Sequence, residues 1–157
     1  MSVAVDVDLG SAVVSYWPAV GEERSLPAER VSSAALFEGA PWRTFRWYYG
    51  QRHYSGTWWS ETMRDHVIYE SRLELSHLQL ADFDPDVRRI LAQPFMVTAT
   101  VDGRPRRHIQ DYLWDTVDGP VVVDVVRAER LACAGGAAGT RSGIARKSHR
   151  LCHHRYR

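Results

Sequence analysis

The chain has 157 residues, 45% hydrophobic and 25% charged, which suits one globular domain with a single core and is short for two. With 20 basic against 19 acidic side chains the formal net charge is +1, so the chain is no global polycation and any nucleic-acid contact must come from local patches. The start, Met1-Ser2-Val3-Ala4-Val5-Asp6-Val7-Asp8, has neither the basic segment nor the apolar run of a signal peptide, and no apolar stretch approaches the roughly 18 residues that span a bilayer. A cytoplasmic protein with no membrane contact is expected, and Cys133 and Cys152 make no disulfide framework.

Residues 1–59 read as an aromatic-rich extension of strands and loops. Ala12 to Trp17 is rich in valine and aromatics and reads as a short strand, Gly21-Glu22-Glu23 as a turn, and Arg24 to Arg30 as a partner strand interrupted at Pro27. From Phe37 to Trp59 the chain is dense in Trp, Tyr, Phe and Arg, and Gly50 and Gly56 punctuate it too often for a helix. Basic and aromatic side chains so interleaved can stack on bases and neutralise phosphates. The commoner use is to cover a core while the arginines snorkel over the rings.

Residues 60–127 read as the core. Ser60-Glu61-Thr62 offers N-cap residues and no Gly or Pro follows until Pro85, so a helix is expected from Glu61 or Asp65 to Ala81. On that helix Glu70, Glu74 and His77 share one polar strip. Asp84-Pro85 makes a turn. Phe95 to Val101 is strand-like, Asp102-Gly103 is a hairpin signal, and Arg106 to Trp114 returns as the partner strand. Asp118-Gly119 turns the chain again, and Pro120 to Val126 is a near-continuous apolar run, as expected of a strand buried on both faces. Three strands against one long helix make a small mixed α/β core.

Residues 128–157 differ in character. Glu129 is their only acid, the rest is dominated by Ala, Gly, Arg, Ser, His and Cys, and with no periodicity to bury a disordered or ragged tail is expected. Cys133 and Cys152 stand too far apart to fit a zinc pattern.

Glu74 from the helix, Asp111 from the middle strand and Asp124 from the last strand are the candidate catalytic and metal-binding residues. Hydrolysis of a phosphodiester needs a divalent metal, and an oxygen-rich carboxylate site suits Mg²⁺ or Mn²⁺. An aspartate inside Val121-Val122-Val123-Asp124-Val125-Val126 loses water at a cost unless it is paired or bound to metal. The plainer alternatives are an Asp124 salt-bridged to Arg106 or Arg107, and a solvated helix face for Glu70 and Glu74.

Glu70-Ser71-Arg72-Leu73-Glu74-Leu75, Asp82-Phe83-Asp84-Pro85-Asp86-Val87, Gln93-Pro94-Phe95, Asp111-Tyr112-Leu113 and Val121-Val122-Val123-Asp124-Val125 fall in the order of a known family. From about Ser15 to Arg127 the chain resembles the TnsA-type endonuclease subunit of heteromeric transposases, and within it the actinobacterial branch, which also tends to carry a stretch like Gly50 to Gly56. The resemblance implies a restriction-endonuclease-like PD-(D/E)xK core, a mixed sheet with flanking helices. It also implies metal ligation by Glu74, Asp111 and Asp124, and nicking of the transposon's 5′ ends. Transposon-end DNA, a DDE-type transposase subunit that cuts the 3′ ends, and an ATPase transposition regulator would be the partners. The family lysine belongs two residues after Asp124, where this chain has Val126. Arg127 falls on the opposite face of a strand. The match also ends near Arg127, so an impaired, frameshifted or decayed copy with a core truncated at its C-terminus is expected. The alternatives are a non-catalytic DNA- or transposase-binding remnant and a restriction-type nuclease.

Overall fold

Among the described residues, three antiparallel sheets and two α-helices make up a mixed α/β architecture dominated by strands. The computed structural model describes residues 7–42 and 54–126. The first sheet begins with β1 (Val7–Pro18), β2 (Arg24–Pro27) and β3 (Gly39–Ala40); a 3₁₀ turn (Ala28–Arg30) and the short helix α1 (Ser33–Phe37) lie between the last two. A hairpin of β4 (Gly56–Ser60) and β5 (Asp65–Tyr69) follows, then the helix α2 (Arg72–Asp82). The remaining strands are β6 (Val87–Ala92), β7 (Met96–Val101), β8 (Arg104–Ile109), β9 (Tyr112–Thr116) and β10 (Gly119–Val123). β2-β1-β7-β8, with β3 also on β1, form one sheet, β10-β9-β6 a second, and β4-β5 a third.

The middle sheet is apolar on both faces, and its alternation shows how. Ile90, Ala92, Tyr112, Val121 and Val123 point toward Leu78 and Ala81 of α2 and Val67 of the β4-β5 hairpin. Leu91, Leu113 and Val122 point the other way, toward Val14, Tyr16, Leu36 and Phe95. Successive strand residues face opposite sides, so a sheet covered on both needs an uninterrupted apolar run, as in Val121-Val122-Val123. Each large side chain fully buried there is worth about 1.5–3 kcal/mol over leaving it exposed.

The hairpin expected at Asp102-Gly103 forms, and the turn expected at Asp118-Gly119 closes a second one. Asp102 at φ 49° and Gly103 at φ 71° close the β7-β8 turn, both in the left-handed region that a two-residue turn of this hand requires. β9 and β10 pair from Thr116 opposite Gly119 to Tyr112 opposite Val123. The expected return strand is split, however. β8 belongs to the first sheet and β9 to the second, with the chain crossing between them at Gln110 and Asp111. Every strand pair among the described residues is antiparallel.

The expected long helix is corrected. Residues 61–64 form a turn with Arg64 at φ 51°, Asp65–Tyr69 is a strand, and the helix spans only Arg72–Asp82. The cause is the Asp82 carboxylate at the far end of α2. It accepts hydrogen bonds from Ser60 Oγ (2.5 Å), Trp58 Nε1 (3.0 Å), Thr62 N (3.0 Å) and Glu61 N (3.2 Å). The Thr62 hydroxyl donates back to the Asp82 carbonyl at 3.1 Å. Amides that a helix would have turned inward are thereby drawn across to α2, while Val67 fits the pleat. β6, α1 and the extra length of β1 are further elements that sequence reasoning did not place. The aromatic stretch from 43 to 53 and the tail from 127 to 157 lie outside the described residues. No described helix is long and apolar enough to cross a membrane.

Burial pushes the Asp82 carboxyl up, but the bonds from Ser60, Thr62 and Trp58 outweigh it and hold the group down at about 2. A carboxyl whose pKa is depressed on folding stabilises the fold above its unfolded value and loses that contribution as pH falls through the folded one. Asp82→Ala is expected to cost about 2–4 kcal/mol in denaturant unfolding, since several bonds to one charge go at once. Acid titration of stability between about pH 4 and pH 2 is expected to be shallower in Asp82→Asn than in the natural chain.

Candidate active site

Ala92, Tyr112 and Val123 stand side by side as the last matched residues of the middle sheet. One step further along each strand come Gln93, Asp111 and Asp124, so three polar residues leave the end of an apolar sheet together. Gln93 has φ 47°, a left-handed conformation that turns the chain away from the sheet. Its amide donates to the Asp111 carbonyl at 2.8 Å and its carbonyl accepts from Trp42 N at 2.8 Å. Its side-chain Nε2 donates to Glu70 Oε1 at 2.6 Å.

Glu70 follows β5, and Glu74 lies in the first turn of α2. Ser71 caps that helix, accepting from Glu74 N at 3.1 Å, while the Ser71 hydroxyl donates to Glu74 Oε1 at 2.9 Å. Glu74 Oε2 accepts from Glu70 N at 2.7 Å. This is a variant of the reciprocal capping box, and its Ser-x-x-Glu signature at Ser71 to Glu74 was legible in the sequence. The expected polar strip therefore dissolves. Glu70 precedes the helix, and His77 is buried, with its pKa lowered by that burial.

Asp111 Oδ2 accepts from Val125 N at 2.6 Å. Asp124 lies just beyond β10 and meets His108 of β8, not the arginine of the plainer alternative, with 2.8 Å between Oδ1 and Nε2. The Asp124 side chain is 17% exposed and that of His108 55%. A cavity of about 490 Å³ opens here, lined among others by Trp42, Glu70, Gln93, Arg107, His108 and Asp111.

The electrostatics register the crowding. Burial, the charges of Glu74 and Asp124 and a side-chain contact with Asp124 push Asp111 up to about 7, against the opposing bond from Val125. Glu74 is raised by burial and by the charges of Glu70 and Asp124, although the bonds from Glu70 N and Ser71 pull the other way. The hydrogen bond to Asp124 raises His108, burial opposes it, and the charges of Asp124 and Asp111 add to the rise. Tyr112 beneath the cluster is raised by burial and then by Glu74, Asp111 and Glu70. Carboxylates that raise one another's pKa in a cleft mark a place where a cation would lower the energy of the whole group.

The donors are all oxygens, the chemistry that suits Mg²⁺ or Mn²⁺. Among the described residues no three His, Cys, Asp or Glu side chains are grouped ready for a metal. Both oxygens of Glu74 are engaged, by Glu70 N and the Ser71 hydroxyl. Asp111 and Asp124, which touch each other, are the pair nearest to a ligand arrangement. Glu74, Asp111 and Asp124 are thus brought into one charge cluster. Sequence reasoning missed His108 and gave Gln93, known only as part of a motif, and Arg107, named only as a partner for Asp124, no place at the site, because no local pattern announces a left-handed Gln93 or the crossing that carries β8 past Asp124. Compared with family models, curated proteins and solved structures, the chain matches none.

Removing one charge from the cluster is expected to stabilise the metal-free chain. In chelator at pH 8, Asp111→Asn should melt a few degrees higher than the natural protein, since its carbonyl oxygen still accepts from Val125 while the repulsion is gone. Added Mn²⁺ should raise the melting temperature of the natural chain more than that of the variant.

Proposed function

We propose that the chain is a metal-dependent DNA endonuclease subunit of a heteromeric transposase with a restriction-endonuclease-like core. It would nick transposon ends by phosphodiester hydrolysis. The observation that carries this reading is the electrostatic coupling of Glu74 at a helix start with Asp111 and Asp124 at adjacent strand ends: burial first, and then the neighbouring charges, raise both Glu74 and Asp111. The family resemblance of the motifs gives the reaction and the partners, a DDE-type transposase and an ATPase regulator. A bound Mg²⁺ or Mn²⁺ would activate water and neutralise charge on the phosphate.

Asp111 and Asp124 would hold the metal through their carboxylate oxygens. Glu74 would contribute an oxygen by leaving its bond to Ser71 or Glu70, at a cost of about 1 kcal/mol in capping. His108 orients Asp124 and is the basic side chain held against the cluster. Val126, half-buried and uncharged, cannot supply the ammonium that the family places two residues beyond Asp124.

A second reading, a DNA- or transposase-binding remnant without catalysis, draws on the engaged oxygens of Glu74 and on Val126. A nicking assay on transposon-end DNA with Mg²⁺ or Mn²⁺ and the partner transposase separates the two. Activity is expected to fall about 10²- to 10⁴-fold in Glu74→Gln and Asp111→Asn, as for loss of a positioned catalytic group. Val126→Lys is expected to raise it. If neither the natural chain nor Val126→Lys nicks, the endonuclease reading is lost and the remnant stands.

A further inference from the structure

The strand that ends at the acidic cluster is strongly basic. β8 reads Arg104-Pro105-Arg106-Arg107-His108-Ile109, and every residue from Arg104 to His108 is exposed. Among the described residues its one strand neighbour is β7, and its outer edge carries no partner strand. Pro105 lacks an amide donor, a common feature of edge strands. Four cationic or titratable side chains in five positions would ordinarily be offset by acids on the adjoining strand. The facing residues of β7 are Val97, Thr98, Ala99, Thr100 and Val101, and none is acidic.

Among the described residues no carboxylate lies within ion-pair distance of Arg104, Arg106 or Arg107. Arg107 is the most telling of the three, because it lines the cavity together with Glu70 and Asp111 and pairs with neither. A guanidinium held beside carboxylates but bonded to none has its donors available to a ligand oxygen. Along a strand at about 3.3 Å per residue, Arg104 to Arg107 covers roughly 10 Å, the axial rise of about three phosphates in one strand of duplex DNA.

We infer that β8 is a phosphate-binding track for duplex DNA: Arg104 and Arg106 grip the backbone, and Arg107 guides one phosphate into the cavity beside Asp111 and Asp124. The inference rests on the nuclease reading for its substrate but on separate residues for its evidence. The alternation of the strand sends Arg107 to the opposite face from Arg104 and Arg106. Arg107 lines the cavity from one face as His108 does from the other, so it acts there, while Arg104 and Arg106, earlier along the strand, act on the flanking backbone. The contacts are to phosphate, so the track supplies affinity and register and reads no bases.

Binding of the full chain to a duplex oligonucleotide, followed by fluorescence anisotropy in chelator over a salt series, tests the track without requiring catalysis. Each phosphate contact contributes about 0.9 to the slope of log K against log salt. Arg104→Gln/Arg106→Gln is expected to lower that slope by about 1.8, and Arg107→Gln by about 0.9. Arg106→Lys, which keeps the charge, should retain most of the slope, and Asp111→Asn should bind DNA at least as well as the natural chain. Unchanged slopes in the glutamine variants, with circular dichroism confirming that they fold, would overturn the track. Equal binding to anionic vesicles or a polyglutamate peptide would overturn the assignment to DNA. Lost binding in the glutamine variants together with no nicking under any metal would retain the track and remove the nuclease. Normal binding alongside nicking that depends on Asp111 would do the reverse.

Discussion

Burial of the β10-β9-β6 sheet from both faces is the constraint on which the rest depends. A sheet covered on one side needs only alternate apolar residues, whereas this one needs them consecutively, and Tyr112, Leu113 and Val123 are almost wholly removed from water. Covering one face takes α2 and the β4-β5 hairpin; covering the other takes the first sheet and α1. Where the double cover ends, the strands must become polar, and they do so together at Gln93, Asp111 and Asp124. The candidate site is the edge of the core, which gives it a rigid floor in Tyr112 and half-buried walls.

Asp82 has the complementary task of fixing the cover in place. Its position is electrostatically poor on its own, because a carboxylate in the last turn meets the negative end of the helix dipole. Four donors from the 58–62 segment offset that penalty and in return determine the path of the chain into β5. The strand β5 then delivers Glu70 to the cluster, so an aspartate at the far end of α2 controls where the first acid of the site stands.

The double-sided strand, the Asp102-Gly103 hairpin and the turns at Asp84-Pro85 and Asp118-Gly119 were legible in the sequence, as were the candidate acids, because each depends on local pattern. A run of valines, an Asp-Gly pair and an aspartate among valines carry their physical reasons with them. The stretch from 61 to 81 was misread because it contains no Gly or Pro, while what bends it is a carboxylate about twenty residues away. Ser71-x-x-Glu74 marked the true helix start. It was overlooked in favour of Ser60, whose hydroxyl serves Asp82 and Met63 N instead. His108 and Gln93 were illegible for a different reason. Their contacts arise from the crossing between two sheets and from a left-handed residue, and neither has a periodic signature.

Glu74 joins the structural and chemical sides of the site. In its present position it holds the Ser71 cap of α2 and keeps Glu70 N satisfied, so it contributes to folding without any cation. The same position places its charge against Asp124 and Asp111, which raises the energy of the cluster. A residue with only a capping role would serve equally well with a neutral glutamine, which can fill the same box. Glutamate at that point adds repulsion that a purely structural cap would avoid, and a cation relieves this repulsion as its ligands lose their mutual charge. The excess of charge over what the fold requires distinguishes Glu74 from Asp82, whose donors match its lone pairs. Mutual repulsion in the acid cluster is a local conflict that packing alone does not call for, and it is the feature on which the proposed site rests.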